Sequence, residues 1–222
     1  MRPSRGVSFF RDARQWFGTM QFDVIFDVGA NVGQSAHIFS DECPRAAIYC
    51  FEPVQRAFAE LQRNVSYLPN VRTFKLAMGA ARGEADMHVD TETALSSMVV
   101  QMPGSVVERA LVSTLDGFCD ENRINQIDFL KIDAEGSDVD VLRGARAMLA
   151  GGRMRFIQVE ASFYDNNPRF LRVGRFSEFL GDYGYEAFGI YDQMPHPTGR
   201  PTVAYMNAVF VHRALLKEQP WR

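Results

Sequence analysis

The sequence predicts a single α/β domain with a doubly wound, seven-stranded, mostly parallel sheet and an antiparallel last strand. Short apolar runs alternate with helical stretches along the 222-residue chain, as they do in βαβ units. The last two apolar runs are joined by only residues 192–203, too few for a crossover helix, so these strands should pair antiparallel at one edge. A chain of this length that is 46% hydrophobic and 23% charged is sufficient for one sizeable core.

The predicted elements follow in chain order. Apolar, β-rich runs predict strands over Val24–Val28, Ala47–Phe51, Val71–Ala77, Ile127–Ile132, Phe156–Val159, Tyr185–Ile190 and Ala204–His212. Helices are predicted from about Gln34, from Pro53 to Asn64, from the N-cap Thr114 to about Asn122, over Ser137–Leu149 and from about Pro168 to Tyr183. Residues 84–113 are interrupted by Thr, Ser, Pro and Gly, so we expect a short hairpin or an irregular excursion there.

Composition excludes several classes of protein. The net charge is −3 and no basic stripe is visible, which argues against nucleic acid as a partner. The three cysteines are odd in number and form no CxxC pair, which argues against a disulfide framework and a cysteine zinc site. No apolar run is long enough to span a membrane. We therefore expect a soluble, cytoplasmic protein with a small-molecule partner.

The N-terminal segment, residues 1–22, is predicted to be a helical extension of the main domain, which covers residues 23–213 and is followed by a tail over 214–222. The segment combines four arginines with large apolar side chains. One interpretation is a helix packed on the domain or over its ligand cleft. The other is an amphipathic helix that lies on a membrane surface.

A glycine-rich turn after the first strand predicts a nucleoside site. Asp27, Gly29, Asn31 and Gly33 lie between a strand and a helix, where backbone N–H groups can approach a ligand. Glu52 ends the second strand, where an acid can accept hydrogen bonds from both ribose hydroxyls. The alternative is that Asp27 and Glu52 are strand-end carboxylates that cap nearby helices.

Two ligand classes use such a turn, namely dinucleotides and S-adenosylmethionine. In the dinucleotide fingerprint G-x-G-x-x-G, the second glycine lets the backbone approach the pyrophosphate. Counting from Gly29, the second and third glycine positions hold Asn31 and Gln34, whose side chains would crowd a pyrophosphate. S-adenosylmethionine has no phosphate and presents an amino acid moiety to the turn, for which Asp27 and Asn31 are suitable partners. The sequence favours this cofactor and leaves a nicotinamide-dependent oxidoreductase as the alternative.

Several blocks of the sequence resemble the FkbM family of methyltransferases. They are Phe26–Gln34, Phe51–Pro53, Ser96–Ser97, Thr114–Asp116, Asp128–Gly136, Val141–Ala145 and Gln158–Glu160. The blocks run from about Val24 to Val211, and the stretch from Lys131 to Gly136 is the most specific. The resemblance implies a Rossmann-like class I fold and transfer of a methyl group from S-adenosylmethionine to a hydroxyl of a sugar, glycolipid or natural product. The family commonly has an acidic residue where this chain has Asn207.

Three side chains are the candidates for catalysis at the carboxyl ends of the strands. Asp133 ends the fourth strand and Glu160 the fifth, and neighbouring carboxylates perturb each other's pKa. His196 lies in the proline-rich connection 192–203, and its ordinary pKa is nearest neutrality. We expect Asp133 to be the general base or to orient the acceptor hydroxyl, with Glu160 helping and His196 as the alternative base. If both acids are only helix caps or solvated rim acids, the chain could be a non-catalytic nucleoside-binding module.

Other polar residues leave alternatives open. Ser97, with Ser96, could contact the cofactor or acceptor, or make only turn hydrogen bonds. Lys131 lies within an apolar strand, where we expect it to pair locally or to snorkel. Mg²⁺ could be held by Asp133 and Glu160, but a third ligand would have to be Asp165 or Glu135, and we favour metal independence. The sequence does not predict the oligomeric state or the acceptor.

Overall fold

The computed structural model describes residues 6–18, 20–90, 96–98, 105–164 and 169–216. The strands are β1 (Val24–Val28), β2 (Ala47–Phe51), β3 (Val71–Phe74), β4 (Ala77–Met78), β5 (Gly83–Val89), β6 (Ser96–Ser97), β7 (Val106–Ser113), β8 (Ile127–Ile132), β9 (Met154–Ala161), β10 (Tyr185–Pro195) and β11 (Val203–His212). The helices are α1 (Phe9–Phe17), α2 (Gln34–Glu42), α3 (Gln55–Asn64), α4 (Leu115–Asn122), α5 (Asp138–Arg143), α6 (Arg146–Ala150), α7 (Val173–Gly181) and α8 (Arg213–Leu216).

Seven strands form the main sheet in the order β10-β11-β9-β8-β1-β2-β3. Strands β3, β2, β1, β8 and β9 pair in parallel, whereas β11 pairs antiparallel with both β9 and β10. This confirms the predicted doubly wound sheet and the antiparallel pairing at one edge. Because the parallel strands share one direction, their carboxyl ends meet at the same edge of the sheet and position the residues of the site there.

Two apolar cores lie on the two faces of this sheet. Side chains alternate between them along each strand, so that Phe26 belongs to one core and Ile25 to the other. Helices α4 to α7 contribute to the first core, with Phe118 and Phe176 among the buried residues. Helices α1 to α3 contribute to the second, with Phe39 among the buried residues. Both faces are therefore covered, as a largely parallel sheet requires.

A second sheet, in the order β4-β7-β5-β6, stands beside the main one. Its antiparallel β5–β7 pair confirms the hairpin predicted within residues 84–113, with strands longer than expected. Met87 and Ala110 of this pair pack against Val54 and Ala57 at the start of α3. This contact fixes the small sheet beside the carboxyl end of β2.

Helix α1 packs directly on the main sheet. Ser8 caps its N-terminus, since the Ser8 hydroxyl accepts a hydrogen bond from the Arg11 N–H at 3.4 Å. The Phe9 ring stacks on Phe129 of β8 with the ring centres 4.5 Å apart, and the buried carboxylate of Asp12 accepts a hydrogen bond from the Tyr191 hydroxyl. This agrees with the packed interpretation of the N-terminal segment. Among the described residues, no helix is long and apolar enough to cross a membrane.

Several predicted elements differ from the structure, and β9 and β10 extend beyond the predicted Phe156–Val159 and Tyr185–Ile190. The single helix predicted over Ser137–Leu149 is wrong, because the chain bends at Gly144 and forms two short helices, α5 and α6. At Gly144 the backbone runs so close to the Gly79 carbonyl that a Cβ atom would clash with its oxygen. The third strand ends at Phe74, since Ala77 and Met78 pair with β7 instead. Helix α7 begins only at Val173, and residues 165–168 lie outside the described part of the chain.

Candidate active site

The turn between β1 and α2 is shaped by three residues with positive φ, namely Gly29, Asn31 and Gly33. Gly29 has φ 77°, and a Cβ atom there would clash with the carbonyl oxygen of Asp133, so only glycine lets this turn rest on the loop after β8. The N–H groups of Gly29 and Ala30 both donate to the Phe51 carbonyl at 3.0 Å. Asn31 follows with φ 48°, and its N–H donates to Glu52 Oε2 at 3.0 Å. The turn is thereby bonded to the end of β2.

Gly33 serves a different purpose in the same turn. It is the residue before α2, with φ 99°, and a Cβ atom there would lie 3.0 Å from side-chain atoms of Leu61 and Val65. The small residue therefore allows α2 to pack closely against α3. Gly33 is not among the residues that line the cleft described next.

A cleft opens at the carboxyl ends of β1, β2 and β8, with about 610 Å³ of space free of atoms, part of which is open solvent. We call it the nucleoside cleft. Its polar lining includes four of the predicted or considered residues, namely Asn31, Glu52, Asp133 and Glu135. Gly29 and Pro53 also line it, and Leu76, Met78, Met87 and Met98 give it an apolar side. The structure therefore brings the glycine turn, the β2 carboxylate and the β8 carboxylate to one concave site.

Glu52 has a capping role and also lines the cleft. It is buried, Oε1 accepts a hydrogen bond from the Val54 N–H at 3.0 Å, and Oε2 accepts one from Asn31. The Val54 bond explains why α3 begins at Gln55 rather than at Pro53. Burial raises the pKa of Glu52 to about 7, although the two backbone N–H groups act against that shift. A carboxylate has about four acceptor positions, so two remain for a ligand.

Lys131 joins two carboxylates beneath the cleft. Its Nζ lies 3.2 Å from Asp27 Oδ1 and 3.4 Å from Asp133 Oδ2. Burial lowers the pKa of Lys131, but the charges of Asp27 and Asp133 outweigh it and hold that pKa above its ordinary value. Asp27 is fully buried and does not line the cleft, and its Oδ2 has no hydrogen-bond partner among the described residues. The predicted local pairing of Lys131 is thus observed, across two strands.

Glu160 and Asp133 end neighbouring strands. Ile132 pairs with Val159 in the β8–β9 register. The next residue on each strand is an acid, so Asp133 and Glu160 occupy neighbouring positions at the rim. Burial raises the pKa of Glu160 to about 8, and the negative charges of Asp133 and Glu135 add to the shift. Glu160 is half-buried and does not line the nucleoside cleft itself.

The loop after β8 is held by three polar residues. Glu135, with φ 49°, binds Arg169 through both carboxylate oxygens, at 2.6 and 3.0 Å. Ser97 donates from its hydroxyl to the Glu135 carbonyl at 2.8 Å and so connects the loop to the second sheet. Sequence reasoning missed Asp138, a buried acid that accepts from the N–H groups of Ala134 and Gly136 at 3.3 and 3.1 Å. Its only signal in the sequence is an acid in the first turn of a helix.

His196 has no hydrogen bond to any of these groups among the bonds of the described residues. It sits in the turn that joins β10 to β11, beyond the paired residues Pro195 and Val203, and its Nδ1 bonds to the Thr198 hydroxyl at 2.8 Å. It does not line the nucleoside cleft. Asp165, considered as a metal ligand, lies outside the described residues. Within the described ranges no group of three or more His, Cys, Asp or Glu side chains is arranged to hold a metal ion.

The raised pKa of Glu160 predicts a dependence of stability on pH. A folded-state pKa of about 8, above the ordinary value of 4.5, means that the folded protein keeps a proton that the unfolded chain has lost. The stabilisation is complete below about pH 4.5 and is lost as the pH rises through 8. We expect Glu160→Gln to reduce the fall in Tm between pH 5 and pH 9, measured by thermal unfolding. The exposed Glu178→Gln should leave that fall unchanged, and an equal fall in wild type and Glu160→Gln would contradict the assignment.

Fold and site together define a class. A doubly wound sheet, a glycine turn resting on the β8 loop and a carboxylate at the end of β2 form a concave site at the position where open α/β sheets bind their ligands. The sequence of residues 27–187 matches the model of the methyltransferase FkbM domain. The chain belongs to the FkbM methyltransferase family, as the sequence resemblance predicts.

Two relatives are similar in sequence. The 2-O-methyltransferase NoeI of Sinorhizobium fredii is 31% identical over 155 residues, which cover 63% of this chain and 63% of NoeI. The hexuronic acid methyltransferase AglP of Haloferax volcanii is 24% identical over 140 residues, covering 63% of this chain and 56% of AglP. The match therefore spans less than two thirds of the length of either relative.

Solved structures support the fold. TrmK of M. capricolum, in complex with S-adenosyl-homocysteine, matches with a TM-score of 0.51 and 12% identity, covering 92% of this chain and 68% of TrmK. A SAM-dependent methyltransferase from Aquifex aeolicus matches with a TM-score of 0.50 and 12% identity, covering 91% of this chain and 88% of that one. At this identity the likeness establishes the Rossmann-like class I architecture alone.

Proposed function

We propose that this protein is an S-adenosylmethionine-dependent O-methyltransferase that acts on a hydroxyl group of a sugar or a similar small molecule. The observation that carries the proposal is the nucleoside cleft of a chain of the FkbM family. Asn31, Glu52 and Asp133 line this cleft, and each follows the end of a different strand. The name of NoeI, a 2-O-methyltransferase, supports transfer to oxygen, and that of AglP, a hexuronic acid methyltransferase, supports a sugar as the acceptor class. The net charge of −3 favours a small acceptor over nucleic acid.

The residues of the cleft fit the cofactor. Asn31 Oδ1, on the lining of the cleft, and Asp27 Oδ2, buried beneath it, have no hydrogen-bond partner among the described residues, and buried polar atoms of this kind usually have one. Both lie at the glycine turn, where the amino acid moiety of S-adenosylmethionine would bring its ammonium group. Glu52 would accept hydrogen bonds from the ribose hydroxyls, and the apolar side with Leu76 and Met78 would hold the base.

The alternative of a nicotinamide cofactor is disfavoured at Asn31. A dinucleotide requires the backbone to approach a pyrophosphate at this position, which glycine permits. Asn31 instead fills the position with a side chain whose Oδ1 is buried. The turn is therefore shaped for a ligand without phosphate groups.

Methyl transfer requires the protein to position the two reactants and to accept one proton. S-adenosylmethionine would supply a methyl group carried on a sulfonium sulfur. Bonding of the acceptor oxygen to that methyl carbon would break the S–C bond, and its electron pair would stay on sulfur. Asp133 lines the cleft at the end of a buried strand, so its carboxylate is held rigidly enough to orient a hydroxyl and take its proton. Lys131, bonded to Asp133, keeps that carboxylate in place. Glu160 lies at the adjacent strand end, where a carboxyl with a raised pKa can share the proton.

Calorimetry tests the cofactor assignment. We expect wild-type protein to bind S-adenosylmethionine and not NAD. Glu52→Gln should weaken S-adenosylmethionine binding by about 1–3 kcal/mol, because an amide N–H₂ group faces ribose hydroxyls where an acceptor is needed. Glu60→Gln, which changes an exposed acid on the neighbouring helix, is the matched control. Wild-type affinity in Glu52→Gln, with an unchanged Tm, would refute the ribose assignment.

We also propose that methyl transfer needs no metal ion. Lys131 already places a positive charge 3.4 Å from Asp133, where Mg²⁺ would otherwise offset the negative charge of the site. Turnover should be the same with EDTA as with added Mg²⁺. Loss of turnover in EDTA that Mg²⁺ restores would contradict this proposal.

A further inference from the structure

A second cavity lies on the face of the main sheet that α1 and α2 cover. We call it the α1 cavity, and it has about 790 Å³ of space free of atoms, part of which is open solvent. Its walls are aromatic, with Phe9 and Phe10 from α1 and Phe39 from α2. Val7 and Ile38, both largely exposed, also line it, and we place its mouth between them. The packing of α1 on the sheet therefore leaves a concave site beside the second core.

On the side formed by the sheet, polar side chains line the cavity beside the rings of Phe129 and Tyr191. Lys131, Gln158 and Asn207 come from the three adjacent strands β8, β9 and β11, and all three line the cavity. Asn207 Nδ2 donates to Asp192 Oδ2 at 2.9 Å, so an amide and a carboxylate are held side by side. Side-chain amides donate and accept, and a carboxylate accepts. Such planar groups beside aromatic walls suit a ring that carries several hydroxyls.

Asp192 reaches this position through an irregularity in β10. The β10–β11 register shifts between Tyr191 and Met194, and Asp192 has φ 46°. A bulge re-aims a side chain, and non-glycine residues in the left-handed region concentrate at functional sites. The hydrogen bond that Asp192 accepts from Asn207 holds the Asp192 side chain in this direction.

The α1 cavity and the nucleoside cleft meet at one ion pair. Lys131 lines the α1 cavity, and its Nζ lies 3.4 Å from Oδ2 of Asp133, which lines the nucleoside cleft. A ligand in the α1 cavity can therefore direct one hydroxyl towards Asp133 while a methyl donor occupies the cleft. Direct displacement requires the two reactants to meet in line, and a shared boundary provides that geometry.

The charges around the cavity point to an uncharged ligand. Among the described residues that line it, Lys131 is the only cation, and it is already paired with Asp27 and Asp133. Asp192 adds a negative charge. A ligand carboxylate would therefore find no unpaired positive charge on the described lining.

We propose that the α1 cavity is the acceptor subsite and that it takes a neutral sugar ring, with the reacting hydroxyl directed towards Lys131 and Asp133. This proposal rests on the proposed function for the direction of the hydroxyl. The occupancy of the cavity can be measured without the cofactor, so the two proposals can fail separately.

The test measures binding and turnover together. Saturation-transfer NMR is recorded on the protein without cofactor, with methyl glycosides of a neutral hexose, a 6-deoxyhexose and a hexuronic acid. Asn207→Leu removes the amide from the cavity, and Ile38→Trp narrows the mouth by changing a residue that is 57% exposed. The matched control is Leu111→Trp, which changes a 60% exposed residue on the second sheet. The kcat/KM for each glycoside and the affinity for S-adenosylmethionine are measured in parallel.

We expect wild type and Leu111→Trp to bind the neutral glycosides. Asn207→Leu and Ile38→Trp should each lose about tenfold or more in glycoside affinity and kcat/KM, with unchanged affinity for S-adenosylmethionine. Equal glycoside binding by wild type and both cavity variants overturns the proposal, as does a preference for the hexuronic acid. Absence of binding to every glycoside also overturns it, even if the enzyme methylates another acceptor. Failure to bind S-adenosylmethionine would instead overturn the proposed function.

Discussion

Asp133→Asn is expected to lower kcat for methyl transfer by about 10²–10⁴-fold, the usual contribution of a positioned general base. The amide is nearly isosteric with the carboxylate, but it has no anionic oxygen to take the proton of the acceptor hydroxyl. Affinity for S-adenosylmethionine should change little. Single-turnover rates with saturating cofactor and acceptor provide the measurement, since they report the chemical step.

The control for this variant is Asp140→Asn. Asp140 is a half-buried acid of α5 that pairs with Arg143 at 2.8 Å and does not line the nucleoside cleft. It should retain normal kcat. The assignment is wrong if Asp133→Asn retains near-normal kcat while His196→Ala loses it, because the β10–β11 turn would then carry the proton transfer.

Lys131→Met is expected to destabilise the fold by about 3–5 kcal/mol, the cost of removing one partner from a buried ion pair. Lys131 bonds to fully buried Asp27 as well as to Asp133, so its loss leaves a carboxylate in the sheet without a counter-charge. Burial already raises the pKa of Asp27, and without Lys131 the carboxyl should take up a proton. Urea unfolding at pH 7 measures the change.

A surface lysine gives the matched control. Lys75 lies 3.5 Å from Glu108 with 38% of its side chain exposed, and Lys75→Met should cost less than about 1 kcal/mol. A double-mutant cycle separates the energy of the Lys131–Asp27 ion pair from the packing energy of the Lys131 side chain. Asp27→Asn should cost less in the Lys131→Met background than in wild type, and equal costs would show that the two residues do not act as a pair.

The parallel core of the fold was predictable from the sequence for a physical reason. Strands buried on both faces are predominantly apolar, and such runs have clear ends. Strands β1, β2 and β8 therefore have the predicted bounds, from Val24–Val28 to Ile127–Ile132. The antiparallel edge was predictable because residues 192–203 are too few to cross the sheet.

Elements that depend on distant contacts were not predictable in the same way. The break between α5 and α6 at Gly144 follows from the approach of the Gly79 backbone, which is far away in sequence. Pairing of Ala77 and Met78 with β7 likewise decides where β3 ends. Local helix and strand propensities carry no information about either contact, so the sequence predicts a continuous helix and a longer strand.

The part of the candidate site that lies at the carboxyl ends of the strands was predictable. Asn31, Glu52 and Asp133 lie together in the nucleoside cleft, because the carboxyl ends of parallel strands meet at one edge. The α1 cavity was not predictable, since it exists only because α1 packs across α2 and the sheet. The catalytic roles of Asp133, Glu160 and His196 remain predictions for kinetic measurement.

Mass spectrometry of the reaction products tests the central claim most directly. The wild-type protein is incubated with S-adenosylmethionine carrying a trideuterated methyl group and with methyl glycosides of neutral sugars. We predict that a glycoside gains one trideuteromethyl group on oxygen for each S-adenosylhomocysteine formed, and that Asp133→Asn forms both products far more slowly. Binding of S-adenosylmethionine with no labelled product from any hydroxyl-bearing acceptor would contradict the account.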